Sequence, residues 1–265
     1  MTTTDWLVAP FHPIGLDALN AKASMLERLD NKYVVTAGTL AEALPALTEA
    51  FDVLEIDGQR AFTYDTCYFD DAQRRSYYDH HQGRRRRMKV RIRRYNDAGL
   101  CFVEVKLKDR RGATVKRRLR YPSENFGLLD DAALAHVETS YRDLYGEPFE
   151  RPLEPVLSMR YRRVTLVARA GGERLTIDSG IRFVTASGEH GTGDHTFIVE
   201  TKSANGNGLA DAVLRRLHQH PTNGCSKYCV GMSVTGAVSR FNRFRPALRK
   251  LGVLPLLHEE HAHGH

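Results

Sequence analysis

The sequence predicts an α+β fold in which an antiparallel sheet of about eight strands closes into a barrel, a tunnel with helices packed outside it. Two observations support this prediction. Many consecutive segments have strand composition and are separated by short turn signals, which is typical of an antiparallel meander. Charged and apolar residues also alternate along these segments. Closure of such a sheet would remove its exposed edges.

The elements follow one another along 265 residues without an evident linker or internal repeat. We expect a short helix over residues 17–27 and the first strand over residues 28–35. Residues 39–51 are expected to form an amphipathic helix that begins with a capping box of Thr39 and Glu42. Further helices are expected over residues 130–145 (capped by Asp130), 209–218 and 234–251. The other expected strands are 53–56, 62–69, 88–95, 101–108, 115–121, 156–168, 174–183 and 197–202.

These elements suggest three regions: an N-terminal extension at residues 1–25, a single barrel domain at 26–252, and a flexible histidine-rich tail at 253–265. The sequence contains no run of eighteen apolar residues, no secretory leader and only four cysteines. We therefore expect a reduced, cytoplasmic protein without a transmembrane segment.

The formal charge of +7 favours an anionic partner. Basic residues are densest between residues 84 and 94. Such a run usually marks a solvated arm that binds nucleic acid. Here, however, basic and apolar residues alternate, and no nucleic-acid motif accompanies them, which argues against nucleic acid as the partner.

Residues at positions i, i+2 and i+4 share one face of a strand. Lys89, Arg91 and Arg93 accordingly lie opposite Val90 and Ile92. Five further segments alternate in the same way, with these charged faces: Arg28, Asp30 and Lys32; Glu104, Lys106 and Lys108; Lys116, Arg118 and Arg120; Arg174 and Asp178; Glu200 and Lys202. Each strand alone is better explained by a solvated face. The set, mainly Lys and Arg, predicts that the charged faces line a cationic tunnel.

Phosphoryl-transfer chemistry accounts for both types of charge. Arg and Lys neutralise phosphate oxygens in a loose, in-line transition state. Carboxylates bind the Mg²⁺ or Mn²⁺ that bridges those oxygens. No arrangement of a serine, cysteine or histidine nucleophile is evident, and this chemistry requires none.

The same residues resemble the VTC domain, the polyphosphate polymerase module of the vacuolar transporter chaperone complex, within the CYTH-like triphosphate tunnel metalloenzymes. The resemblance spans roughly residues 26–232. It is carried by the charged strands, by Tyr68, Phe69 and Asp70, and by the segments at residues 161–163 and 226–228. The first strand offers Arg28, Asp30 and Lys32 in place of the wider superfamily's Glu-x-Glu-x-Lys pattern, which favours the VTC-like branch.

The resemblance implies a role for each charged position. The expected catalytic residues are Lys32, Arg91, Arg93, Lys106, Arg163, Arg174 and Lys227. The expected phosphate-binding residues are Lys89, Lys108, Lys116, Arg118, Lys202 and Ser226. Glu200 is the leading expected ligand of Mn²⁺ or Mg²⁺, and Asp30, Glu104 and Asp178 are secondary candidates. Alternation leaves open whether Arg163 with Tyr161, or Arg160 with Arg162, faces inward.

The preferred hypothesis is a metal-dependent polymerase that transfers the γ-phosphoryl group of ATP to polyphosphate. A tripolyphosphate or nucleoside-triphosphate hydrolase would use nearly the same residues. A noncatalytic sensor of polyphosphate or inositol phosphates is the alternative from another class. ATP and polyphosphate are the expected ligands, and the resemblance also suggests a separately encoded membrane protein that translocates the product as a partner.

Overall fold

The computed structural model describes residues 4–22, 29–185 and 188–253. Arg28, most of the proposed tail and the end of the helix expected at residues 17–27 therefore lie outside the described residues. The described helices are α1 (Asp5–Val8), α2 (Leu16–Lys22), α3 (Ala37–Ala50), α4 (Arg75–Gln82), α5 (Asp131–Tyr145), α6 (Leu209–Arg216), α7 (Lys227–Val234) and α8 (Arg245–Lys250).

The described strands form one sheet. They are β1 (His12–Ile14), β2 (Leu29–Thr36), β3 (Phe51–Leu54), β4 (Phe62–Asp70), β5 (Met88–Tyr95), β6 (Leu100–Lys108), β7 (Thr114–Arg120), β8 (Glu154–Ala168), β9 (Arg174–Thr185), β10 (Gly188–Gly191) and β11 (Thr196–Ser203). The strand order is β2-β11-β9-β8-β4-β5-β6-β7, and every neighbouring pair on this path is antiparallel. β3 joins β8, β10 joins β9, and β1 pairs in parallel with β3.

The prediction of a closed barrel is not confirmed. The hydrogen-bonded path begins at β2 and ends at β7, and within the described ranges no ladder joins these two strands. Side-chain alternation has a period of two in open and closed sheets alike. The sequence pattern that predicted the strands therefore carried no information about whether the end strands pair.

The sheet is nevertheless strongly curved around the charged faces. Lys106 on β6 interacts electrostatically with Glu200 and Lys202 on β11, although four strands separate β6 from β11 along the sheet. Lys227 on α7 also pairs with Asp178 on β9. We call the face that carries these side chains the concave face.

Helices cover the convex face, as expected. α3 and α6 share an apolar cluster with Tyr33, Val199 and Ile177 from the back of β2, β11 and β9. α5 covers β5 and β6 through Val137, which packs with Val90 and the other outward side chains of these strands. Burying these apolar faces stabilises the sheet by about 25 cal/mol per Å² of area removed from water.

One helix departs from the expectation that all helices lie outside. Tyr228, Cys229 and Met232 of α7 share a core with Leu157 and Met159. These two residues of β8 lie on the same face as Arg163, because residues 157, 159, 161 and 163 alternate with those on the other face. The concave face is therefore divided: α7 and its neighbour α8 fill an apolar part, and charged side chains line the rest.

Helix boundaries show two further differences. The cap of α3 is Thr36, whose side chain accepts a hydrogen bond from the Thr39 backbone at 3.3 Å, so the prediction of Thr39 as the cap was wrong. The helix expected over residues 234–251 is wrong in extent: α7 already ends at Val234, and within this range only α8 (Arg245–Lys250) is α-helical. The prediction for α5 is confirmed, because the Asp130 carboxylate accepts from the Ala133 amide at 2.9 Å.

No helix within the described ranges has the length and apolarity needed to cross a membrane.

Gly231 lets α7 approach the concave face closely. A methyl group at this position would lie 2.5 Å from Leu157 Cδ2 and 2.6 Å from Phe183 Cδ1, and both side chains are buried. We expect Gly231→Ala to lower the free energy of unfolding by about 1–3 kcal/mol, because the core has no room for the added methyl group. Urea-induced unfolding measures this change.

Gly38 provides a matched control, because it also lies in a helix and has no atom closer than 3.8 Å to the added methyl group. Gly38→Ala should leave stability unchanged or raise it by up to about 1 kcal/mol. Equal effects of the two substitutions would contradict the close packing of α7 on β8 and β9.

Candidate functional site

The register of β8 decides which arginines face the charged space. Arg163 and Tyr161 lie on the concave face, where Arg163 opposes Asp178. Arg160 lies on the other face and donates to Asp65 at 2.7 Å. The ladder shifts between Arg160 and Arg162, opposite Gly180 within β9, which has a φ of 58°. The irregularity allows Arg163 to meet Asp178.

Glu104 organises the first group of basic side chains. Its side chain is fully buried on β6, and Arg91 contacts it at 2.5 Å through Nη2 and 2.7 Å through Nε. Lys116 forms a second ion pair with it, and Arg93 and Arg118 lie at 3.9 Å. Burial alone would raise the pKa of Glu104, but Arg91, Arg93 and Lys116 hold this pKa far below its usual value. Glu104 is therefore an anion at neutral pH, and its carboxylate interacts with four cationic side chains.

Glu200 organises the second group at the other side of the sheet. Lys32 and Lys202 contact its Oε1 at 3.3 Å and 2.7 Å, and Lys202 also reaches Asp30 at 3.0 Å. Burial opposes ionisation of Glu200, yet Lys32 and Lys202 keep its pKa well below the usual value. The second oxygen of Glu200 has no hydrogen bond to a described residue, so it remains available to another ligand.

Asp178 organises the third group and connects the sheet to α7. Arg163 forms a bidentate pair with it at 2.6 and 2.8 Å, and Lys227 forms a second ion pair. Burial again opposes ionisation, but Arg163 and Lys227 keep the pKa of Asp178 below its usual value. Ser226, which directly precedes Lys227, caps α7 and accepts a hydrogen bond from Lys89 at 2.8 Å. The N-terminus of α7 thus points at the basic groups, where its amides favour anions.

Lys106 lies between the Glu104 and Glu200 groups and differs from its neighbours. Among the described residues it forms no hydrogen bond or ion pair, although Glu200 attracts it electrostatically. Burial and the neighbouring Arg91 lower the pKa of Lys106 to about 6. A half-buried lysine without a carboxylate partner indicates a position prepared for an anionic ligand, which would favour its protonated form.

The remaining expected site residues lie toward the edges of the concave face. Arg174 opposes Lys202 in the register of β9 and β11. Lys108 donates to the carbonyl of Gly112 at 2.7 Å, at the turn between β6 and β7. Arg118 is about half exposed. The structure therefore places all the expected site residues on one face or on the adjoining end of α7, and their chemical roles remain predictions.

The carboxylates differ in their suitability for a metal ion. Among the described residues no three His, Cys, Asp or Glu side chains form a metal-binding group. Glu104 and Asp178 are fully buried and already bind two or more cationic side chains each. Glu200 and Asp30 share Lys202 and lie nearer to solvent. This pair suits Mg²⁺ or Mn²⁺, because such ions commonly take one or two carboxylates and complete their shell with phosphates and water.

Sequence reasoning missed the hydroxyl and aromatic groups of β4 that hold the basic side chains. Arg91 donates to Tyr68 Oη at 3.2 Å, and Arg93 donates to Thr66 Oγ1 at 3.3 Å. The guanidinium of Arg163 lies over the ring of Tyr64, 5.3 Å from its centre. The alternation rule applied to β4 would have placed Tyr64, Thr66 and Tyr68 on one face. The register of β4 and β5 shows that this is the same face as Arg91 and Arg93.

Asp70 fixes the position of α7 from the end of β4. Its buried carboxylate accepts from the amides of Ser76 and Tyr77 at the start of α4, and from Tyr228 Oη at 2.6 Å. Because Tyr228 follows Lys227 directly, this bond anchors the end of α7 that enters the charged space. The sequence contained a signal for Asp70 only as part of the resembling Tyr68–Phe69–Asp70 segment.

Comparison with known proteins identifies a family. The model of the VTC domain matches residues 27–235. No curated protein matches the chain.

Solved structures of similar shape include a candidate adenylate cyclase from Bacillus halodurans, at 14% identity over 75% of this chain and 95% of that one, with a TM-score of 0.47. The candidate adenylyl cyclase HpAC1 from Hippeastrum, described as having a dominant triphosphatase activity, shows 15% identity over 82% and 100% of the two chains, with a TM-score of 0.46.

We expect Glu104→Gln to lower the free energy of unfolding by about 3–5 kcal/mol, because it leaves several buried cations without their anion. Thermal unfolding measures the loss. Tripolyphosphate should raise the Tm of the variant more than that of the unchanged protein, since the ligand replaces the missing negative charge.

Asp143→Asn provides the control, because the Arg117–Asp143 pair lies exposed on the convex side. Its loss should cost at most about 1 kcal/mol. A Glu104→Gln variant as stable as this control would contradict the assigned role of Glu104.

The low pKa of Lys106 predicts that polyanion binding takes up protons. Above pH 6 most Lys106 side chains of the ligand-free protein are neutral, and bound phosphate oxygens favour the protonated form. Affinity for tripolyphosphate should therefore fall as the pH rises from about 6 toward the ordinary lysine value of about 10.4.

Calorimetric titration at pH 8 in buffers of different ionisation enthalpy measures the protons taken up. Lys106→Gln should reduce this number. Arg118→Gln is the control, since arginine does not titrate in this range, and it should change the affinity without changing the proton uptake. Equal uptake in the Lys106→Gln variant and the unchanged protein would contradict the prediction.

Proposed function

Because the chain belongs to the VTC domain family, we propose that it is a metal-dependent polyphosphate polymerase that transfers the γ-phosphoryl group of ATP to a polyphosphate chain. The observation that carries this proposal is the convergence of basic side chains from several strands and from α7 on one concave space. Glu104, Asp178 and Glu200 offset only part of their charge. A ligand with many phosphate oxygens supplies the remaining negative charge.

The proposed transfer needs no general base. An anionic terminal oxygen of the polyphosphate chain attacks the γ-phosphorus, a new P–O bond forms, and the bond to the β,γ-bridging oxygen breaks. ADP leaves with the electron pair, and no proton is removed from the nucleophile. Arg91, Arg93, Lys106 and Arg163 would neutralise the oxygens of the transferred group, which is the main requirement of a loose transition state.

Glu200 with Asp30 would hold the divalent ion, which would neutralise further phosphate oxygens when bound. Lys32 and Lys202, which contact Glu200, would then turn to the phosphates. Glu104 and Asp178 instead position their basic partners. This assignment narrows the four expected metal ligands to the two carboxylates, Glu200 and Asp30, whose side chains are not fully buried.

The proposal places the enzyme in the cytoplasm, with ATP and polyphosphate as its ligands. All four cysteines are free and buried, which suits a reducing compartment. A separately encoded membrane protein would receive the product if the polymer is exported.

The test is incubation of the purified protein with ATP and Mn²⁺ or Mg²⁺, followed by gel analysis for polyphosphate. We expect a ladder of polymer that requires the metal. Lys32→Met should reduce polymer formation by about 10²-fold or more, because it removes a positive charge at the phosphates. Glu200→Gln should reduce it by a similar factor, because it removes the main proposed ligand of the divalent ion. Arg117→Gln on the convex side is the control and should retain activity. Release of orthophosphate without polymer would replace the proposal with the hydrolase, and tight polyphosphate binding without turnover in either metal would replace it with the sensor.

A further inference from the structure

A cavity of about 560 Å³ opens between α4 and α5, and we call it the outer cavity. Its walls come from these two helices, from the loop after α4 and from the loop between α5 and β8, and none of its lining residues belongs to a strand. The outer cavity is therefore separate from the charged groups of the concave face. Its volume is typical of sites for small molecules. Its lining combines two carboxylates and two aromatic rings with four arginines: Arg75, Arg84, Arg86 and Arg151.

Two arginines of the outer cavity share one carboxylate. Arg75 and Arg151 approach the same oxygen, Oδ2 of Asp71, at 3.8 and 3.3 Å. Arg84 has its own partner, Asp79, at 3.2 Å, but the Arg84 side chain remains 64% exposed. Guanidinium groups bind phosphate oxygens with the same planar geometry as carboxylate oxygens. A phosphate group can therefore bind between Arg75 and Arg151, and Arg84 offers donors to a second one.

Two aromatic rings form another part of the lining. The ring centres of Tyr141 and Phe149 lie 5.3 Å apart at an angle of 56°. Arg151 lies over the Phe149 ring at 5.0 Å, and Tyr145 packs against Tyr141 at 74°. Within the described part of the chain, no cation lies over the Tyr141 ring and its hydroxyl forms no hydrogen bond. Tyr141 thus gives the outer cavity an aromatic surface for a flat ligand group.

The carboxylates of the lining favour a nucleotide over a bare phosphate chain. Arg86 is already paired with Glu147 at 2.7 Å, and Asp79 and Glu150 both line the outer cavity. These two carboxylates would repel a long polyphosphate, but carboxylates accept hydrogen bonds from ribose hydroxyls. Burial raises the pKa of Asp79, although Arg84 opposes this change. Hydroxyl donors from a ligand would stabilise the Asp79 anion.

We propose that the outer cavity is a second nucleotide site, which binds a nucleoside diphosphate. The base packs against Tyr141, and the ribose hydroxyls donate to the carboxylates of the lining. The two phosphates bind to Arg75, Arg84 and Arg151. This inference does not depend on the reaction proposed for the concave face, because it concerns a different set of residues.

The test is calorimetric titration of the full-length protein with ADP. We expect two binding events, one on the concave face and one in the outer cavity. The Arg75→Gln, Arg84→Gln double variant should weaken one of them about tenfold or more, because charge-assisted hydrogen bonds to phosphate are lost. Both side chains are more than half exposed, so the fold should tolerate this change. Lys32→Met should weaken the other event.

A second comparison tests whether the outer cavity recognises the base. Tyr141→Leu should lower the affinity of this site for ADP about tenfold, because base stacking is lost. It should leave the affinity for pyrophosphate unchanged, because the arginines remain. Equal affinities of the outer cavity for ADP and pyrophosphate would overturn the proposal of a nucleotide site.

Arg142→Gln is the matched control. Arg142 follows Tyr141 on α5, is 55% exposed and pairs with Glu138 at 2.9 Å, but it does not line the outer cavity. It should leave both binding events unchanged. A single ADP site that Lys32→Met removes and the double arginine variant leaves intact would overturn the inference. ADP binding in the outer cavity of a protein that makes no polymer would contradict the polymerase proposal alone.

Discussion

Mutual repulsion between the basic side chains of the concave face is the constraint on which the rest of the structure depends. Like charges brought together in a partly desolvated space oppose folding. Glu104 and Asp178, both fully buried, and Glu200, nearly so, offset this repulsion by each contacting at least two cations. Each carboxylate bridges strands or links a strand to α7. The same contacts that make the fold possible therefore also aim the basic groups at a common space.

The carboxylates neutralise only part of the positive charge on the concave face. The remaining positive charge allows this face to bind an anion. Lys106 has no partner among the described residues, and its pKa is lowered mainly by burial. A polyanion would relieve the repulsion and restore the charge of this lysine. We therefore expect ligand binding to stabilise the folded protein, because the bound anion neutralises the positive charge that the carboxylates leave.

The inner helix shapes this space. α7 closes part of the concave face with apolar side chains, and Asp70 fixes it through Tyr228. This excludes water beside the basic groups, where electrostatic interactions are consequently stronger. The charged side chains line the part of the face that α7 and α8 leave uncovered.

The sequence by itself determined most strands and the identity of the concave face, because a side-chain period of two follows from backbone geometry and needs no tertiary information. Lys89, Arg91 and Arg93 could be assigned to one face for this reason. Tertiary structure alone decided what depends on distant contacts: the open path from β2 to β7, the inward position of α7, and the carboxylate that each cation meets. Arg163 shows the limit most clearly. Alternation allowed either face of β8; the pairing of β8 with distant strands decided that Arg163 lies on the concave face, and the irregularity in β9 placed Asp178 opposite it.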